Sequence, residues 1–172
     1  MSEVRGQKSG CHRYEVQSTG QEDGRLGPAR RNDEAVMEQA ARIVRGETAG
    51  PPIAELVGFT LTHIEPGRAV IELEAGERHH NPMGTVHGGV ICDIADAAMG
   101  MAYAGTLGDG ETFTTVELKV NFLKQVRKGR LRAEGRVVNA GRTLGLVECD
   151  VTDEDGRLVA RASSTCMTLR AT

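Results

Sequence analysis

The sequence contains few aromatic residues: they make up 3% of its 172 residues and include no tryptophan. Proteins that bind single-stranded nucleic acid stack the bases on aromatic side chains, and this chain offers few. Its 21 Lys and Arg residues against 24 Asp and Glu residues give a formal net charge of −3, which creates no attractive field for nucleic acid or an anionic membrane. We therefore expect neither to be a partner.

Long apolar runs are missing as well. No stretch of about 18 apolar residues could cross a bilayer, and the polar N-terminus lacks the apolar segment of a secretory signal. The four cysteines form no CxxC pair, and three of them lie in apolar segments, where a thiol behaves as a small hydrophobic side chain. These observations predict a cytoplasmic protein with reduced thiols. The cysteines are Cys11, Cys92, Cys149 and Cys166.

The length fits one domain preceded by a tail. Residues 1–32 mix Gly, Ser, Gln and charges of both signs with almost no periodic apolar pattern, so we expect a disordered N-terminal tail. The domain is expected over residues 33–172. It should begin with an amphipathic lead-in helix over Glu34–Arg45, which follows a capping residue at Asn32 or Asp33.

The remaining pattern predicts an α+β fold in which an antiparallel sheet wraps around one central apolar helix. Residues Gly88–Ala104 are apolar nearly all round, with Asp93 and Asp96 as the only charges, as expected for a buried helix. Strands precede and follow it, and proline and glycine at Glu65-Pro66-Gly67 favour a tight turn between the first two. The expected strands are Phe59–Ile64, Ala69–Glu74, Val116–Phe122, Leu131–Val137, Leu144–Val151 and Leu158–Leu169.

The start of the central helix carries groups that could act on an activated carbonyl. The backbone N–H of Gly88 is an unpaired donor at the positive end of the helix dipole and could hold a thioester oxygen, although a glycine here could also serve only for close packing. Asp96 places a costly carboxylate on a buried helix. It could act as general base for a water, as nucleophile forming a mixed anhydride, or only as a structural hydrogen-bonding group.

Gly88 and Asp96 are too far apart for one carbonyl to reach both easily. They are eight residues apart, roughly 12 Å along a helix at about 1.5 Å per residue. If two such helices pack antiparallel about a two-fold axis, Gly88 of one chain meets Asp96 of the other. The spacing therefore predicts a homodimer with two equal sites formed across the subunit interface.

The chain resembles the hotdog-fold acyl-CoA thioesterases of the phenylacetic-acid-degradation type from Ile53 to Leu169. The resemblance implies a hotdog fold, cofactor-free hydrolysis of an aryl-acyl or medium-chain acyl-CoA to free acid and CoA, cross-subunit sites, and usually a tetramer made of two dimers. It rests on Asn81, Gly84, His87, Gly88, Gly89 and Asp96 at the family's spacing, on the strand Thr115–Phe122 and on the Gly141-Arg142 turn.

The resemblance also assigns roles to residues around this segment. Thr115 matches the family's serine or threonine that orients the carboxylate or the water, although threonine is also a good strand residue. His87 is expected to shape the substrate-binding loop together with Gly89. The amide of Asn81 could hold the water or the carbonyl, or this asparagine before proline could simply start a turn.

Coenzyme A carries phosphates, and we expect basic side chains near the site to bind them. Guanidinium and ammonium groups suit phosphate, although charges at turns are often only solvated. The candidates are Lys124, Arg127, Lys128 and Arg130 after the long strand, and Arg142. Met83, Met99 and Met101 are expected as adaptable walls of the acyl pocket. His79 and His80 have no partner at metal-ligand spacing, so no metal is expected.

Two other functions fit parts of the pattern. A hotdog hydratase or dehydratase needs a catalytic histidine, for which His87 is a candidate, but the spacing of Asn81 and Asp96 resembles that of the thioesterases. The other is a non-catalytic module that only binds acyl-CoA. Such sensors usually carry a DNA-binding helical unit, and the N-terminal tail is too short and irregular to form one.

Overall fold

A computed structural model describes residues 36–170, so the predicted tail and the capping residue of the lead-in helix lie outside the described residues. None of the helices in this part of the chain is both long and apolar enough to span a bilayer. The helices are α1 (Val36–Val44), α2 (Pro52–Val57) and α3 (Gly88–Ala104), and Glu77–His79 forms a 3₁₀ turn. The strands are β1 (Phe59–Glu65), β2 (Arg68–Ala75), β3 (Glu111–Phe122), β4 (Gly129–Ala140), β5 (Leu144–Thr152) and β6 (Leu158–Arg170).

The six strands form one antiparallel sheet in the order β1-β2-β4-β5-β6-β3. This sheet curls around α3, which contacts all six strands. Ile94, Ala98 and Met99 of the helix are completely buried against it. The arrangement confirms the predicted α+β fold with a central apolar helix, and it leaves β1 and β3 as the two edges of the sheet.

Most element bounds follow the sequence pattern. Helix α3 has the predicted limits, and the turn after β1 has Gly67 at a φ of +80°, the left-handed region that glycine adopts without strain. The strands extend beyond their predicted limits, and β3 starts five residues before Val116, at Glu111. The cause is tertiary: pairing with β6 continues along the whole of β3, past the region of strict alternation.

Helix α2 was not predicted. It has only six residues and begins with Pro52, and a proline pair ordinarily indicates a break rather than a helix. Proline is nevertheless well suited to the first helical position, and Gly58 ends the helix in a left-handed conformation with a φ of +90°. Its last turn is held by His79, whose Nε2 lies 2.9 Å from the carbonyl oxygen of Val57.

At Gly135 on β4 the sheet packs directly against the backbone of α3. A Cβ atom on this residue would lie 2.4 Å from the carbonyl oxygen of Ala98 and 2.7 Å from the backbone nitrogen of Met99. Both are backbone atoms of α3, so neither can yield by changing a side-chain rotamer. The absence of a side chain at Gly135 thus sets how closely the sheet approaches the helix.

Replacing Gly135 with alanine is expected to lower the free energy of unfolding by about 3 kcal/mol, the upper part of the usual range for overpacking, because backbone must move. For a chain of this size that corresponds to a fall in melting temperature of roughly 6–12 °C, measurable by thermal denaturation. Gly76→Ala is the matched control, because an added Cβ there meets no atom within 4 Å. Equal melting temperatures for the two variants would contradict the prediction.

Candidate active site

Asp96 and Thr115 lie side by side on α3 and β3. The hydroxyl of Thr115 donates a hydrogen bond of 3.1 Å to Oδ1 of Asp96. Within residues 36–170, Oδ2 of Asp96 accepts no hydrogen bond and remains available for chemistry. The structure therefore brings together two residues that the sequence separates by 19 positions, in the geometry that an orienting role for Thr115 requires.

Both residues line a cavity of about 680 Å³, which is within the size range of small-molecule sites. Its walls are mainly apolar, so it suits a hydrocarbon group better than a charged one. One wall is formed by Ala97, Gly100 and Met101 of α3 together with Phe113 of β3. Most of the remaining lining comes from Ile43 of α1, residues of the segment 46–51, α2 and the start of β1.

Only one of the three methionines expected as pocket walls lines this cavity. Met101 does so, whereas Met99 is fully buried in the core of the domain. Met83 lies in the loop before α3 and is 72% exposed. The expectation for Met99 was wrong because the side of α3 that faces the sheet cannot be distinguished in sequence from the side that faces the cavity.

In the described part of the chain, the first turn of α3 has one backbone donor without an acceptor. Nδ1 of His87 accepts a hydrogen bond of 2.9 Å from the N–H of Gly89, and the carbonyl oxygen of His87 accepts one of 3.0 Å from Val90. Among residues 36–170, the N–H of Gly88 has no acceptor. His87 thus caps the helix, and its cap leaves the Gly88 donor unpaired at the positive end of the helix dipole.

Gly88 also has a packing role. A Cβ atom at this position would lie 3.0 Å from the ring of Phe122, which is at the end of β3 and 54% exposed. The absence of a side chain therefore allows the ring to lie against the helix end. The two interpretations of this glycine are compatible.

The side chain of Asn81 is occupied within its own loop. Its Oδ1 accepts hydrogen bonds from the N–H groups of Met83 at 2.9 Å and Thr85 at 3.3 Å, and its Nδ2 donates to the hydroxyl of Thr85 at 3.0 Å. This is the turn-forming role that asparagine before proline often has. A direct role of Asn81 toward a water or a carbonyl stays a prediction.

The basic residues fall into two separate groups. Lys124, Arg127, Lys128 and Arg130 line a small cleft of about 180 Å³ in the connection between β3 and β4, together with Asp153, Glu154 and Asp155. Lys124 pairs with Asp153. Arg142 lies at the other end of β4, in its turn to β5, which puts it on the order of 35 Å from this cleft along the strand. One chain therefore does not bring all five cations together.

A second carboxylate, Asp93, lies one helical turn before Asp96. Burial, and after it the negative charge of Asp96, raise the pKa of Asp93. Its Oδ2 is buried and has no hydrogen-bond partner in the part of the chain that the structure describes. The shift favours the neutral form of Asp93 and thereby weakens charge repulsion beside Asp96.

The remaining histidines and cysteines near the site have structural surroundings. Nδ1 of His79 accepts a hydrogen bond from the N–H of Gly76, and Nε2 of His80 lies 2.6 Å from the carbonyl oxygen of Arg127. Both imidazoles therefore hold the loop that precedes α3. Cys149 and Cys166 are buried free thiols, Cys92 is a half-buried one, and Cys11 lies outside the described residues.

Comparison with known proteins assigns the family. The thioesterase superfamily model matches residues 83–160, the stretch that contains Gly88, Asp96 and Thr115. A Saccharolobus solfataricus protein, named only provisionally as an esterase, is 36% identical over 118 residues, which cover 69% of this chain and 84% of that protein. The chain belongs to the thioesterase superfamily.

Two further likenesses support this assignment. The 1,4-dihydroxy-2-naphthoyl-CoA hydrolase of Listeria monocytogenes is 29% identical over 62% of this chain and 87% of its own length. The solved structure of a phenylacetic acid degradation-related protein from Ralstonia eutropha is 32% identical, with a TM-score of 0.67, and the match covers 74% of this chain and 98% of that one. This thioesterase superfamily member thus has the hotdog fold and is a thioester hydrolase.

The sequence pattern did not predict some of the residues that line the cavity of this hotdog domain. Phe113 lies ahead of the predicted strand, and the segment 46–51 has the composition of an ordinary loop. In that segment, the hydroxyl oxygen of Thr48 is buried and has no hydrogen-bond partner among the described residues. No local sequence signal indicates burial of a threonine in a loop.

Proposed function

We propose that the chain hydrolyses the thioester of an aryl-acyl or medium-chain acyl-CoA to the free acid and CoA, at sites shared between two subunits. The observation that carries this proposal is the Asp96 carboxylate, held by Thr115 in the wall of an apolar cavity large enough for an acyl group. The Listeria relative, whose name states that it hydrolyses an aryl-CoA, supports this substrate class.

The free Oδ2 of Asp96 can start the reaction in two ways. As a general base it removes a proton from a water, whose oxygen attacks the thioester carbonyl carbon. As a nucleophile it attacks that carbon itself and forms a mixed anhydride, which water then hydrolyses. In both routes the carbon–sulfur bond breaks, CoA leaves as a thiolate that takes up a proton, and the hydrogen bond from Thr115 fixes the carboxylate.

The negative charge that develops on the carbonyl oxygen needs a donor, and the free N–H of Gly88 is suited to that role. Gly88 and Asp96 lie on the same unbroken helix, about 12 Å apart along its axis, so one chain cannot present both to one carbonyl. A second subunit with its α3 antiparallel supplies the missing partner. Gly88 of each subunit then faces Asp96 of the other.

The edge strand β3 favours this assembly. It has 12 residues and pairs with β6 on one side only, while Val116 and Phe122 are each more than half exposed. A long, open strand edge favours pairing with another chain. Antiparallel pairing of β3 with its copy across a two-fold axis continues the sheet and brings the two α3 helices together. We propose this dimer, and association of two dimers into a tetramer.

The CoA moiety is expected to lie outside the acyl cavity. Lys124, Arg127 and Lys128 form the basic cleft after β3, close in sequence to Phe122, whose ring lies against Gly88. We propose that this cleft meets the CoA phosphates. Arg142 can contribute only from a different direction, for example from another subunit, because it lies at the opposite end of β4.

Incubation with a panel of aryl-acyl and medium-chain acyl-CoAs is expected to release free CoA thiol, with a turnover on the order of 1 s⁻¹ or more for the best substrate, as followed with a thiol-reactive dye. Binding of acyl-CoA without thiol release would instead support a non-catalytic acyl-CoA-binding module. Addition or loss of water on the acyl chain without thiol release would support a hydratase or dehydratase.

A further inference from the structure

His79 is a buried histidine that takes no part in the hydrolysis as described so far. It lies in the 3₁₀ turn Glu77–His79, between β2 and α3, and is 6% exposed. It lines neither the acyl cavity nor the basic cleft, and it precedes residues 83–160, which match the superfamily. Buried polar side chains are almost always hydrogen-bonded, so the partners of this imidazole show what it holds in place.

The imidazole of His79 joins two backbone groups. Its Nδ1 accepts a hydrogen bond of 3.0 Å from the N–H of Gly76, the residue before the turn. Because Nδ1 is an acceptor, the ring carries its hydrogen on Nε2, which donates to the carbonyl oxygen of Val57 at 2.9 Å. The side chain therefore fixes the turn from within and also ties it to the end of α2.

The backbone of His79 holds the residue that precedes α3. Its carbonyl oxygen accepts a hydrogen bond of 2.8 Å from the N–H of His87, whose own Nδ1 accepts the N–H of Gly89. The next N–H along the chain after His87 is that of Gly88, which has no acceptor among the described residues. The position of the Gly88 donor therefore depends on where the carbonyl group of His79 holds His87.

We propose that His79 is a positioning residue, which fixes the direction of the Gly88 N–H toward the thioester oxygen. Its imidazole holds the turn, its carbonyl oxygen holds His87, and His87 precedes the donor. Such a donor acts on charge that develops in the transition state, and a displacement of about 1 Å is enough to lower the rate strongly. This inference rests on the proposed function, because it requires Gly88 to stabilise that charge.

Replacing His79 with alanine is expected to lower kcat by about 10–10²-fold and to leave KM within about threefold of the parent value. The value of kcat falls because release of the turn displaces the Gly88 donor. The value of KM changes little because the imidazole lines neither binding surface and because Arg78 still holds α2, through a hydrogen bond of 3.3 Å from its Nη2 to the same Val57 carbonyl. The measurement is thiol release over a range of concentrations of the acyl-CoA that the parent hydrolyses fastest.

Two further variants separate positioning from folding. His79→Asn places an amide oxygen where Nδ1 was and keeps the hydrogen bond from Gly76, whereas His79→Gln places an amide nitrogen where Nε2 was and keeps the one to Val57. Each variant loses one of the two bonds, so we expect similar melting temperatures for both. Only His79→Asn is expected to keep kcat within about threefold of the parent value, because the bond from Gly76 is the one that fixes the turn.

His63→Ala is the matched control. This partly exposed histidine of β1 lies 3.2 Å from Arg68 and lines neither binding surface, so we expect parental kcat and KM. Three results would overturn the inference: parental kcat in His79→Ala, a rise in KM in place of a fall in kcat, or equal losses of kcat in His79→Asn and His79→Gln. Each of them leaves the proposed hydrolysis in place, whereas a parent chain that releases no thiol from any acyl-CoA would overturn both proposals.

Discussion

Replacing Asp96 with asparagine is expected to lower kcat for thioester hydrolysis by about 10²–10⁴-fold, the usual contribution of a positioned general base, and by more if the carboxylate is the nucleophile. Asparagine preserves the size of the side chain, and its Oδ1 can still accept the hydrogen bond from Thr115. It removes only the charge and the basicity. The measurement is the rate of thiol release at saturating acyl-CoA, together with a thermal melt.

Asp93→Asn is the matched control. It removes a carboxylate from the same helix, one turn away, that is not bonded to Thr115. We expect its kcat to stay within a few-fold of the parent value, because burial and the charge of Asp96 already raise the pKa of Asp93 and favour its neutral form, so the substitution removes little charge. Full activity of a correctly folded Asp96→Asn variant would remove Asp96 from the chemistry.

Mixing two inactive chains is expected to restore activity. A dimer of one Gly88→Val chain and one Asp96→Ala chain keeps one intact site, formed by Gly88 of the second chain and Asp96 of the first. The purified mixed dimer should therefore show about half the activity per dimer of the parent, while each variant alone is inactive. Two different affinity tags allow the mixed dimer to be isolated and assayed for thiol release.

The converse mixture makes this test decisive. A dimer of one parent chain and one chain that carries both substitutions has no intact site if the sites are shared, because each site then contains one altered residue. If each site lies within a single chain, the same dimer keeps about half its activity and the first mixture stays inactive. The two hypotheses thus predict opposite results for the same pair of mixtures.

Local sequence signals are sufficient for the central helix. An apolar run bounded by Gly88 and Gly105 predicts α3 with its observed limits, because the glycines at both ends and the apolar residues between them all favour one buried helix. The same holds for the turn at Gly67. By contrast, α2 depends on tertiary contacts of its last turn with the loop around His79, and its six residues carry no periodic pattern.

The site could be predicted only in part, because some of its contacts depend on tertiary structure and have no local sequence signal. Asp96 and Gly88 stand out because a charge and a free donor on a buried helix require an explanation. That Thr115 reaches Asp96 depends on how β3 lies along α3, and its match to the family was needed to suggest it. Thr48 has no such match, and only the folded chain shows that its hydroxyl is buried.

The cavity is encoded by two separate stretches of chain. Asp96, Phe113 and Thr115 lie inside the segment that matches the superfamily, residues 83–160, whereas most of the other lining residues belong to residues 43–61, ahead of that segment. Substitutions in the earlier stretch can therefore reshape the space around the acyl group and leave the reacting groups in place. The reaction can therefore be conserved while the choice of acyl group changes, because the two depend on different stretches of this one domain.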